Sequence, residues 1–357
     1  MKKILTVVGA RPQFVKASVL SRALRKSGRL VETMVHTGQH FDDRMSDVFF
    51  RELDIPAPKY NLGINSMMHG SMTGRMLEAI EKTILEEDPD MVMVYGDTNS
   101  TLAAALAAKK LHKTVAHVEA GLRSFDMEMP EEVNRILTDR ISDALYCPTK
   151  TAVNNLLAEG FDAFPAHIVN SGDVMFDAVL YFKGRRSTGS SISNAPDKFA
   201  LCTIHREENT GHRSLMKGIF EALDDISDNL RVVLPIHPRT RLQMEQYGIR
   251  TKINLIDPVG YLDMLGLLER SSIVLTDSGG LQKEAFFLEK PCITLRNSTE
   301  WTELIDAGVN VLSGADYDRI MTAFCDSLNS KPDFSQRPYG SGDAGDAIVA
   351  DLEALIG

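Results

Sequence analysis

Several features that define other classes of protein are scarce or missing in this chain. Its four cysteines among 357 residues form no CxxC pair, so neither a disulfide framework nor a zinc site is indicated, and we expect no metal. Basic residues number 39 against 49 acidic ones, which gives a net charge of −10 with no block of lysine or arginine. We therefore expect no nucleic-acid partner, although one local basic pocket can still bind a small anion.

Long apolar segments are also missing. No stretch approaches the roughly 18 apolar residues of a membrane span, so we expect no membrane partner. The apolar run that follows Met1, Lys2 and Lys3 ends at Gly9. It is shorter than the apolar core of a signal peptide and is typical of a first buried strand. A cytoplasmic location is the expectation that follows.

The sequence does contain a regular alternation of strand-length apolar runs and helix-length amphipathic stretches. Apolar, β-branched runs separated by helices predict parallel sheets with helices on both faces. The predicted strands are Ile4–Val8, Val31–His36, Met91–Tyr95, Thr114–Val118, Phe199–Ile204, Arg231–Ile236, Asn254–Ile256, Ile273–Thr276 and Cys292–Leu295. Helices are predicted over Pro12–Lys26, with proline in its first turn, and over Leu102–Lys110.

The alternation stops and restarts around Gly184–Pro196, the most linker-like stretch of the chain. The predicted fold class is therefore α/β, with two Rossmann-like, doubly wound domains and a cleft between them, where ligands meet the carboxyl ends of the strands. We place the first domain at residues 1–172 and the second at 197–342. The final amphipathic segment, Asp343–Ile356, fits either domain by its pattern alone.

The first candidate site residues follow the ends of two predicted strands. The turn Gly9–Gln13 lacks the G-x-G-x-x-G fingerprint, which disfavours a nicotinamide enzyme, and we expect no cofactor. Arg11 in this turn is placed to meet an anion beside a helix N-terminus, or it is an ordinary surface residue. Asp97 follows the strand Met91–Tyr95 and is either an acid or base in the crevice or, like Thr98, a cap of the next helix.

Two further carboxylates belong to the same predicted sheet edge. His117 and Glu119 end one strand and are expected to share a strand face, because side chains alternate; as metal ligands they lack a third partner. Glu131 opens a helix, where acidic residues are common for dipole reasons alone. Each signal is weak by itself. Together, Asp97, Glu119 and Glu131 are three carboxylates that the fold itself does not require.

The second predicted domain offers sharper signals. The strand Ile273–Thr276 runs into Asp277, then into Ser278–Gly280 and a helix. Such a turn leaves backbone N–H groups open at a helix start and can cradle a phosphate; an ordinary glycine-rich turn is the alternative. Glu284, one turn into the helix, could reach a ribose hydroxyl.

Three aromatic or imidazole side chains also follow strands in this domain. His205 belongs to a charged segment after the strand Phe199–Ile204. His237 either supports the pocket or only starts a helix. Trp301 is the single tryptophan, and in such a position packing is the more common role than recognition.

As an ordered set these motifs resemble those of the non-hydrolysing UDP-N-acetylglucosamine 2-epimerases, over essentially the whole chain. The matching motifs are Gly9-Ala10-Arg11-Pro12, Gly96-Asp97-Thr98, His117-Val118-Glu119-Ala120-Gly121-Leu122-Arg123, Pro130-Glu131-Glu132, His205-Arg206-Glu207 and Asp277-Ser278-Gly279-Gly280. The resemblance implies a glycosyltransferase-B type fold, in which the helix at 343–357 packs back on the first domain. It also implies a homodimer and a UDP-sugar substrate.

The resemblance further implies a reaction and a set of site residues. UDP leaves across C1–C2 to give an unsaturated acetamido sugar and is then added back with a proton on the other face of C2. The catalytic residues implied are Asp97, Glu119, Glu131 and His205, with no assignment of a carboxylate to a face. The substrate- and UDP-binding residues implied are Arg11, Lys16, Arg123, Arg135, His205, His237, Ser278, Gly279, Gly280, Glu284 and Trp301.

Three segments depart from the common family pattern. Gln13 stands where the family motif has a glutamate, and Trp301 stands where an arginine is expected near the nucleotide. The stretch Gly38–Asp47 differs from the one that helps to form an allosteric UDP-N-acetylglucosamine site in bacterial relatives, which puts such regulation in doubt.

These departures are similar to those of the UDP-2,3-diacetamido-2,3-dideoxyglucuronate 2-epimerases of surface-polysaccharide and O-antigen synthesis. We therefore favour that diacetamido uronate, converted from the gluco to the manno form. UDP-N-acetylglucosamine, which would give UDP-N-acetylmannosamine, is the alternative substrate. A glycosyltransferase of the same fold is the alternative of another class, although simple sugar transfer needs one base rather than three carboxylates. A sugar-nucleotide-binding regulator without catalysis is the third hypothesis.

Overall fold

A computed structural model of the chain describes residues 1–39, 50, 53–185, 195–329 and 332–356. It divides into two compact units, the first comprising Met1–Leu180 with Pro338–Gly357 and the second Tyr181–Arg337. Most of the linker-like stretch falls at 186–194, outside the described residues, and the departing segment at 38–47 is described only for its first two residues. The prediction of two Rossmann-like α/β units is confirmed.

The first unit is built on a parallel sheet. Its described strands are β1 (Lys2–Val8), β2 (Leu30–His36), β3 (Tyr60–Asn61), β4 (Met91–Tyr95), β5 (Thr114–Val118), β6 (Ala144–Cys147) and β7 (His167–Asn170). They run in the order β3-β2-β1-β4-β5-β6-β7. Every residue of β4 is buried, which agrees with a strand that is covered on both faces.

Helices cover the sheet of the first unit. They are α1 (Arg11–Ser27), α2 (His69–Glu87), α3 (Asn99–Lys110), α4 (Pro130–Ile141), α5 (Lys150–Ala158) and α6 (Val174–Phe182). Pro12 lies in the first turn of α1, and Gly28 ends it in a left-handed conformation with φ of 66°. The apolar faces of α2 and α3 pack on β1 and β4 through residues such as Met76 and Ile80, both fully buried.

The second unit repeats the same plan. Its strands are β8 (Ala200–Thr203), β9 (Val232–Pro235), β10 (Asn254–Ile256), β11 (Ile273–Thr276), β12 (Cys292–Thr294) and β13 (Asn310–Leu312), all parallel and in the order β10-β9-β8-β11-β12-β13. Its helices are α7 (Glu207–Thr210), α8 (Arg213–Asn229), α9 (Pro238–Tyr247), α10 (Tyr261–Arg270), α11 (Gly279–Phe287), α12 (Thr302–Asp306) and α13 (Tyr317–Asn329).

The last helix, α14 (Ala344–Ile356), belongs to the first unit. Lys26 at the end of α1 pairs with Asp346 at 2.6 Å, and a Cβ at Gly345 would lie 2.5 Å from a methyl carbon of Val19. Glycine at this position therefore lets α14 approach α1 closely. Within the described residues, no helix combines the length and the apolar character needed to cross a membrane.

In each unit the strand order reverses between two neighbouring strands. The pairs are β1 with β4 in the first unit and β8 with β11 in the second. In open α/β sheets the loops that leave the carboxyl ends of such a pair form the usual ligand-binding crevice. The motifs that contain Arg11, Asp97, His205 and Ser278–Gly280 fall in these loops, and the motif with Glu119 follows the neighbouring strand β5.

Candidate functional site

The two loops at the reversal point of the first unit are joined by Gln13. Its side-chain oxygen accepts hydrogen bonds from the backbone N–H groups of Gly9 and Ala10, at 2.7 and 3.0 Å. Its amide nitrogen donates to the carbonyl of Tyr95 at 2.7 Å and to the hydroxyl of Thr101 at 2.9 Å. The departure from the family motif is therefore a fully buried amide that needs both its donor and its acceptor.

Asp97 is not the cap of the helix that follows it. The hydroxyl of Thr98 accepts the N–H of Thr101 and caps α3. Asp97 accepts from Arg135 of α4, with Nη2 2.6 Å from Oδ2, and keeps 31% of its side chain exposed. Arg135 is itself held by Glu132 at 2.6 Å. The Asp97 carboxylate is thus oriented by a buried arginine while part of it remains open to solvent.

Glu119 lies just beyond the end of β5. The strand ends at Val118, and Glu119 has a φ of 72°, an uncommon left-handed conformation for a residue with a side chain. Strand alternation therefore does not set its direction, because Glu119 lies outside the strand that contains His117. Its carboxylate forms a buried ion pair with Lys16 of α1.

Gly96 brings these groups together. It has a φ of 60°, and a Cβ added there would lie 3.2 Å from Lys16 Nζ and 3.5 Å from Glu119 Oε2. The Lys16–Glu119 pair therefore packs directly on the backbone that precedes Asp97. We call this group of Asp97, Gly96, Glu119 and Lys16 the Gly96 cluster.

Glu131 lies in the first turn of α4, four residues before Arg135 and so on the same side of the helix. Its side chain is partly buried and makes no hydrogen bond or ion pair with the part of the chain that the structure describes. Glu131 therefore shares α4 with Arg135, the arginine that binds Asp97.

The two other predicted arginines take different positions. Arg11 is the first residue of α1, partly buried, at the turn after β1. Arg123 is buried, and its guanidinium binds Asp139 at 2.7 Å and Glu159 at 2.6 Å. Burial opposes this charge, but the two carboxylates outweigh it and raise the pKa of Arg123. Arg123 therefore holds the loop after β5 through these two ion pairs.

One residue that the sequence analysis did not single out, Asp139 of α4, completes this site. Glu132, Arg135 and Asp139 lie at spacings of three and four along α4, and all three are buried. Glu132 accepts the backbone N–H groups of Ser124 and Phe125, at 3.0 and 2.9 Å. A row of charged residues at helical spacing was the available signal, because charges on a buried helix face need partners.

In the second unit, Asp277 organises the reversal point. It is fully buried and accepts the backbone N–H groups of His205 and Arg206, each at 3.0 Å. His205 also approaches it through Nδ1 at 3.2 Å while 45% of its side chain stays exposed. Asn209 donates to the same carboxylate at 3.2 Å. The loop after β8 is therefore fixed by a residue from the loop after β11.

The predicted phosphate cradle, Ser278–Gly280, is the start of α11. Ser278 caps the helix by accepting the N–H of Leu281, and a Cβ at Gly280 would meet no atom within 4 Å. Glu284 follows one turn later and is buried. At Gly280 the helix start therefore presents backbone in open space, which suits a close anion, whereas Gly279 packs against Glu300 and Trp301.

Trp301 packs against this turn. Its indole N–H donates to the carbonyl of Gly279 at 3.0 Å, and Lys283 Nζ lies 4.0 Å from the centre of the ring. The neighbouring Glu300 pairs with Arg296 at 3.0 Å, and both residues are buried. Trp301 is 3% exposed, and these contacts support the start of α11.

His237 caps α9. Its Nδ1 accepts the backbone N–H of Arg239 at 3.2 Å, which requires the ring to be neutral at that nitrogen. Burial lowers the pKa of His237, and His205 and Arg239 lower it further. The ring is therefore a neutral group that lies beside His205.

The described residues contain no group of three or more His, Cys, Asp or Glu side chains that is arranged to hold a metal ion. The polar groups of the two units are instead organised as ion pairs and hydrogen bonds around loops at the strand ends.

Comparison with known proteins identifies clear relatives. The family model for UDP-N-acetylglucosamine 2-epimerase matches residues 22–353. The UDP-2,3-diacetamido-2,3-dideoxy-D-glucuronate 2-epimerase of Pseudomonas aeruginosa is 54% identical over 354 residues, covering 99% of this chain and 100% of the relative. The UDP-N-acetylglucosamine 2-epimerase of Methanocaldococcus jannaschii is 42% identical, covering 97% of this chain and 98% of the relative. A crystal structure of UDP-GlcNAc 2-epimerase from that organism, in complex with UDP-GlcNAc and UDP, superposes with a TM-score of 0.92 at 41% identity, over 99% of each chain.

Proposed function

Since the chain belongs to the UDP-N-acetylglucosamine 2-epimerase family and is an isomerase, we propose that it acts on UDP-2,3-diacetamido-2,3-dideoxy-D-glucuronic acid and inverts C2 from gluco to manno. UDP-N-acetylglucosamine is the alternative substrate of the same reaction. The product would serve surface-polysaccharide synthesis, as the resemblance implies.

The observation that carries the choice of substrate is the difference in identity to the two kinds of relative. Identity is 54% to the Pseudomonas enzyme that is named for the diacetamido uronate and 42% to the archaeal enzyme that is named for UDP-N-acetylglucosamine. Gln13 and Trp301, which depart from the common motifs, both take structural parts in the loops at the strand ends. The positions of these two residues support a substrate site whose loops differ from the common family pattern.

The proposed chemistry is elimination followed by addition. A carboxylate removes the C2 proton, the C1–O bond breaks with its electrons passing to UDP, and a C1–C2 double bond remains. UDP oxygen then re-forms the bond to C1 while a second acid delivers a proton to the other face of C2. Positioned acids and bases of this kind typically contribute about 10²–10⁴-fold each. We assign these roles to Asp97, Glu119 and Glu131.

The Gly96 cluster supports this assignment. Arg135 and Lys16 each hold one carboxylate in a fixed place, and Glu131 projects from the helix that carries Arg135. A base is effective only when it is already oriented, because each lost degree of freedom adds to the barrier. Two of the three carboxylates are oriented in this way by buried cations.

We assign nucleotide binding to the second unit. The start of α11 supplies backbone N–H groups for a phosphate, and Glu284 supplies a carboxylate for a ribose hydroxyl. His205, which is partly exposed beside Asp277, is placed to bind or protonate the leaving diphosphate. In the first unit, Arg11 is assigned to substrate binding, as the resemblance implies.

The proposal includes a homodimer and a cytoplasmic location, both from the family resemblance. Size-exclusion chromatography with light scattering tests the first, and fractionation of the native cell tests the second. A monomer at micromolar concentration would contradict the homodimer but would not bear on the proposed reaction.

The test of substrate is a direct comparison of kcat/KM for the two UDP-sugars, with products identified by NMR. We expect the manno epimer from both, and a kcat/KM at least roughly tenfold higher for the diacetamido uronate, which corresponds to about 1.4 kcal/mol of transition-state binding. Faster turnover of UDP-N-acetylglucosamine would overturn the choice of substrate. Turnover that requires an added acceptor sugar would indicate a glycosyltransferase instead.

A further inference from the structure

His117 is a buried histidine with an acceptor at each ring nitrogen. The side chain has no exposed surface and extends from β5 toward the loop after β4. Its Nε2 lies 2.7 Å from the carbonyl oxygen of Gly96, and its Nδ1 lies 2.7 Å from Oδ1 of Asp139. At 2.7 Å, a nitrogen lone pair and an oxygen lone pair would repel each other. Each of these two contacts therefore needs a proton between the nitrogen and the oxygen.

The position of these protons follows from the acceptors. A backbone carbonyl has no proton to give, so Nε2 must carry the one in the contact with Gly96. Asp139 also accepts from Arg123 and from the backbone N–H of Gly121, at 2.7 and 3.1 Å. Both of these donors bind the charged form of the carboxylate, and one of them is a buried guanidinium, so they favour an ionised Asp139. Asp139 is therefore a carboxylate, and Nδ1 must carry a proton too.

The surrounding charges balance a positive ring. Asp139 contacts both His117 and Arg123, and Glu159 binds the other side of Arg123. Two cations and two carboxylates then give a neutral group. The thiol of Cys147 is also close to Asp139, and its pKa is raised by burial and by that carboxylate, so it adds no charge. On the far side of Gly96 the Lys16–Glu119 pair is neutral as a unit.

The acceptor at Nε2 is the peptide that precedes a proposed catalytic residue. Gly96 has a left-handed backbone, with its carbonyl toward His117 and its Cα against the Lys16–Glu119 pair. The next residue is Asp97. The direction in which Asp97 leaves this turn therefore depends on the hydrogen bond from His117.

We propose that His117 is a buried imidazolium that holds the Gly96 carbonyl and so positions Asp97 beside Glu119 for the C2 proton transfers. It is a positioning residue that touches no substrate. The catalytic part of this inference rests on the proposed function, whereas the charge of the ring does not.

The charge is tested first, without substrate. The protein is labelled with ¹⁵N-histidine, and the His117 signal among the nine histidines is identified by its loss in His117→Gln. At about pH 8, where an ordinary histidine with a pKa of about 6.5 is neutral, we expect both ring nitrogens of His117 to carry protons. A ring nitrogen without a proton at that pH overturns the proposal.

The positioning role is tested by kinetics of C2 proton exchange. His117→Gln retains a donor but not the charge, and we expect kcat to fall by roughly 10- to 100-fold with KM within about threefold of the parent. Unchanged kcat in folded protein, or a loss confined to KM, overturns positioning.

A second variant keeps the test decisive if that one is poorly folded. Asp139→Asn removes the anionic partner and should leave Nδ1 of His117 without its proton in the same NMR measurement at about pH 8. C2 exchange should then fall as it does in His117→Gln. Parent-like exchange in Asp139→Asn, with a ring nitrogen that has lost its proton, contradicts the proposal. If the parent enzyme exchanges no UDP-sugar, the proposed function fails, while the NMR result still decides the charge of His117.

Discussion

At the scale of single residues, Gly96 lies so close to the other residues of the Gly96 cluster that a side chain would fit there only tightly. It adopts a φ of 60°, which glycine reaches without strain, and a Cβ there would lie 3.2 Å from the nitrogen of Lys16. Gly28, at the end of α1, has a similar φ of 66° but no atom within 4 Å of its added Cβ. The two glycines therefore share a backbone requirement and differ in what surrounds them.

This pair gives the first prediction. Gly96→Ala and Gly28→Ala should each cost about 1 kcal/mol of unfolding free energy, because both place a side chain in a left-handed conformation. Only Gly96→Ala should slow C2 exchange, by about 100-fold, because its methyl group crowds the nitrogen of Lys16, which holds Glu119. Urea titration and exchange kinetics measure the two quantities. Full exchange activity in Gly96→Ala would show that the cluster tolerates movement.

The residues of this cluster also show what a sequence can predict. The motifs contain Asp97 and Glu119, which follow the ends of β4 and β5, and also Glu131, which opens α4. The partners are separated from them by 103 positions for Lys16 and Glu119 and by 38 for Arg135 and Asp97. Such pairs are set by how the helices pack on the sheet, which local sequence pattern does not contain.

At the scale of elements, α14 depends on an acidic residue of α6. Asp177 accepts the backbone N–H groups of Gly345 and Ala344, at 2.8 and 3.2 Å, and so caps the N-terminus of α14. Burial raises the pKa of Asp177 to about 6, with Asp173 and Asp343 adding repulsion, although the two N–H groups favour the charged form. The cap is therefore partly protonated in mildly acidic solution.

The second prediction is a pH dependence of the docking of α14. The folded-state pKa of Asp177 is above the unfolded value of about 4, so the stability that this group contributes is fully present below pH 4 and is lost as the pH rises through 6. Asp177→Asn should remove this dependence. Relative to the parent, the variant should gain roughly 1–3 kcal/mol between about pH 5 and pH 7.

Unfolding free energies and amide hydrogen exchange of α14 across that range measure the effect. Asp162→Asn, at an exposed position of the same unit, is the matched control and should leave the pH dependence as it is. An identical slope of stability against pH in the parent and in Asp177→Asn would exclude Asp177 as the source.

The same scale shows which elements sequence patterns reveal. The strands with long, fully apolar runs were predicted close to their bounds, for example Met91–Tyr95. The short strands β3, β6, β7 and β13 were not predicted. Three of them, β3, β7 and β13, are edge strands whose residues are only partly buried, so they lack the continuous apolar run of a central strand.

At the scale of the whole molecule, we assign proton transfer to the first unit and nucleotide binding to the second. The first carries the carboxylates, and the second carries the turn that we assign to the nucleotide. The whole-chain resemblance identified this plan from the sequence, since its motifs are spread over both units. The supporting contacts, such as that of Asp277 with the loop after β8, came only from the structure.

The third prediction tests whether the second unit binds UDP. Asp277→Asn leaves one of the buried N–H groups of His205 and Arg206 with a poorer acceptor, and we expect UDP to bind roughly tenfold more weakly, equivalent to about 1.4 kcal/mol. Isothermal titration calorimetry with UDP measures this. Asp257→Asn, whose side chain is 96% exposed, is the control and should bind as the parent does. Parent-like affinity in Asp277→Asn would contradict the assignment of UDP to this turn.

The fourth prediction is that variants of the three proposed catalytic carboxylates lose C2 exchange but keep UDP binding. Asp97→Asn, Glu119→Gln and Glu131→Gln should each bind UDP with close to the parent's affinity, because the proposed nucleotide turn belongs to the other unit. Each should lose at least about 100-fold in C2 exchange, since each removes an acid or base. Glu128→Gln, an exposed acid two residues before α4, is the matched control and should exchange at the parent's rate.

The most direct test of the account is the fate of the C2 hydrogen in D₂O. The parent protein is incubated with the UDP-linked diacetamido uronate or with UDP-N-acetylglucosamine, and the C2 position is followed by NMR. The account predicts deuterium at C2 together with the manno epimer, and the loss of both in the three carboxylate variants. An epimer that keeps its original hydrogen at C2, or deuterium incorporation that persists in all three variants, would contradict it.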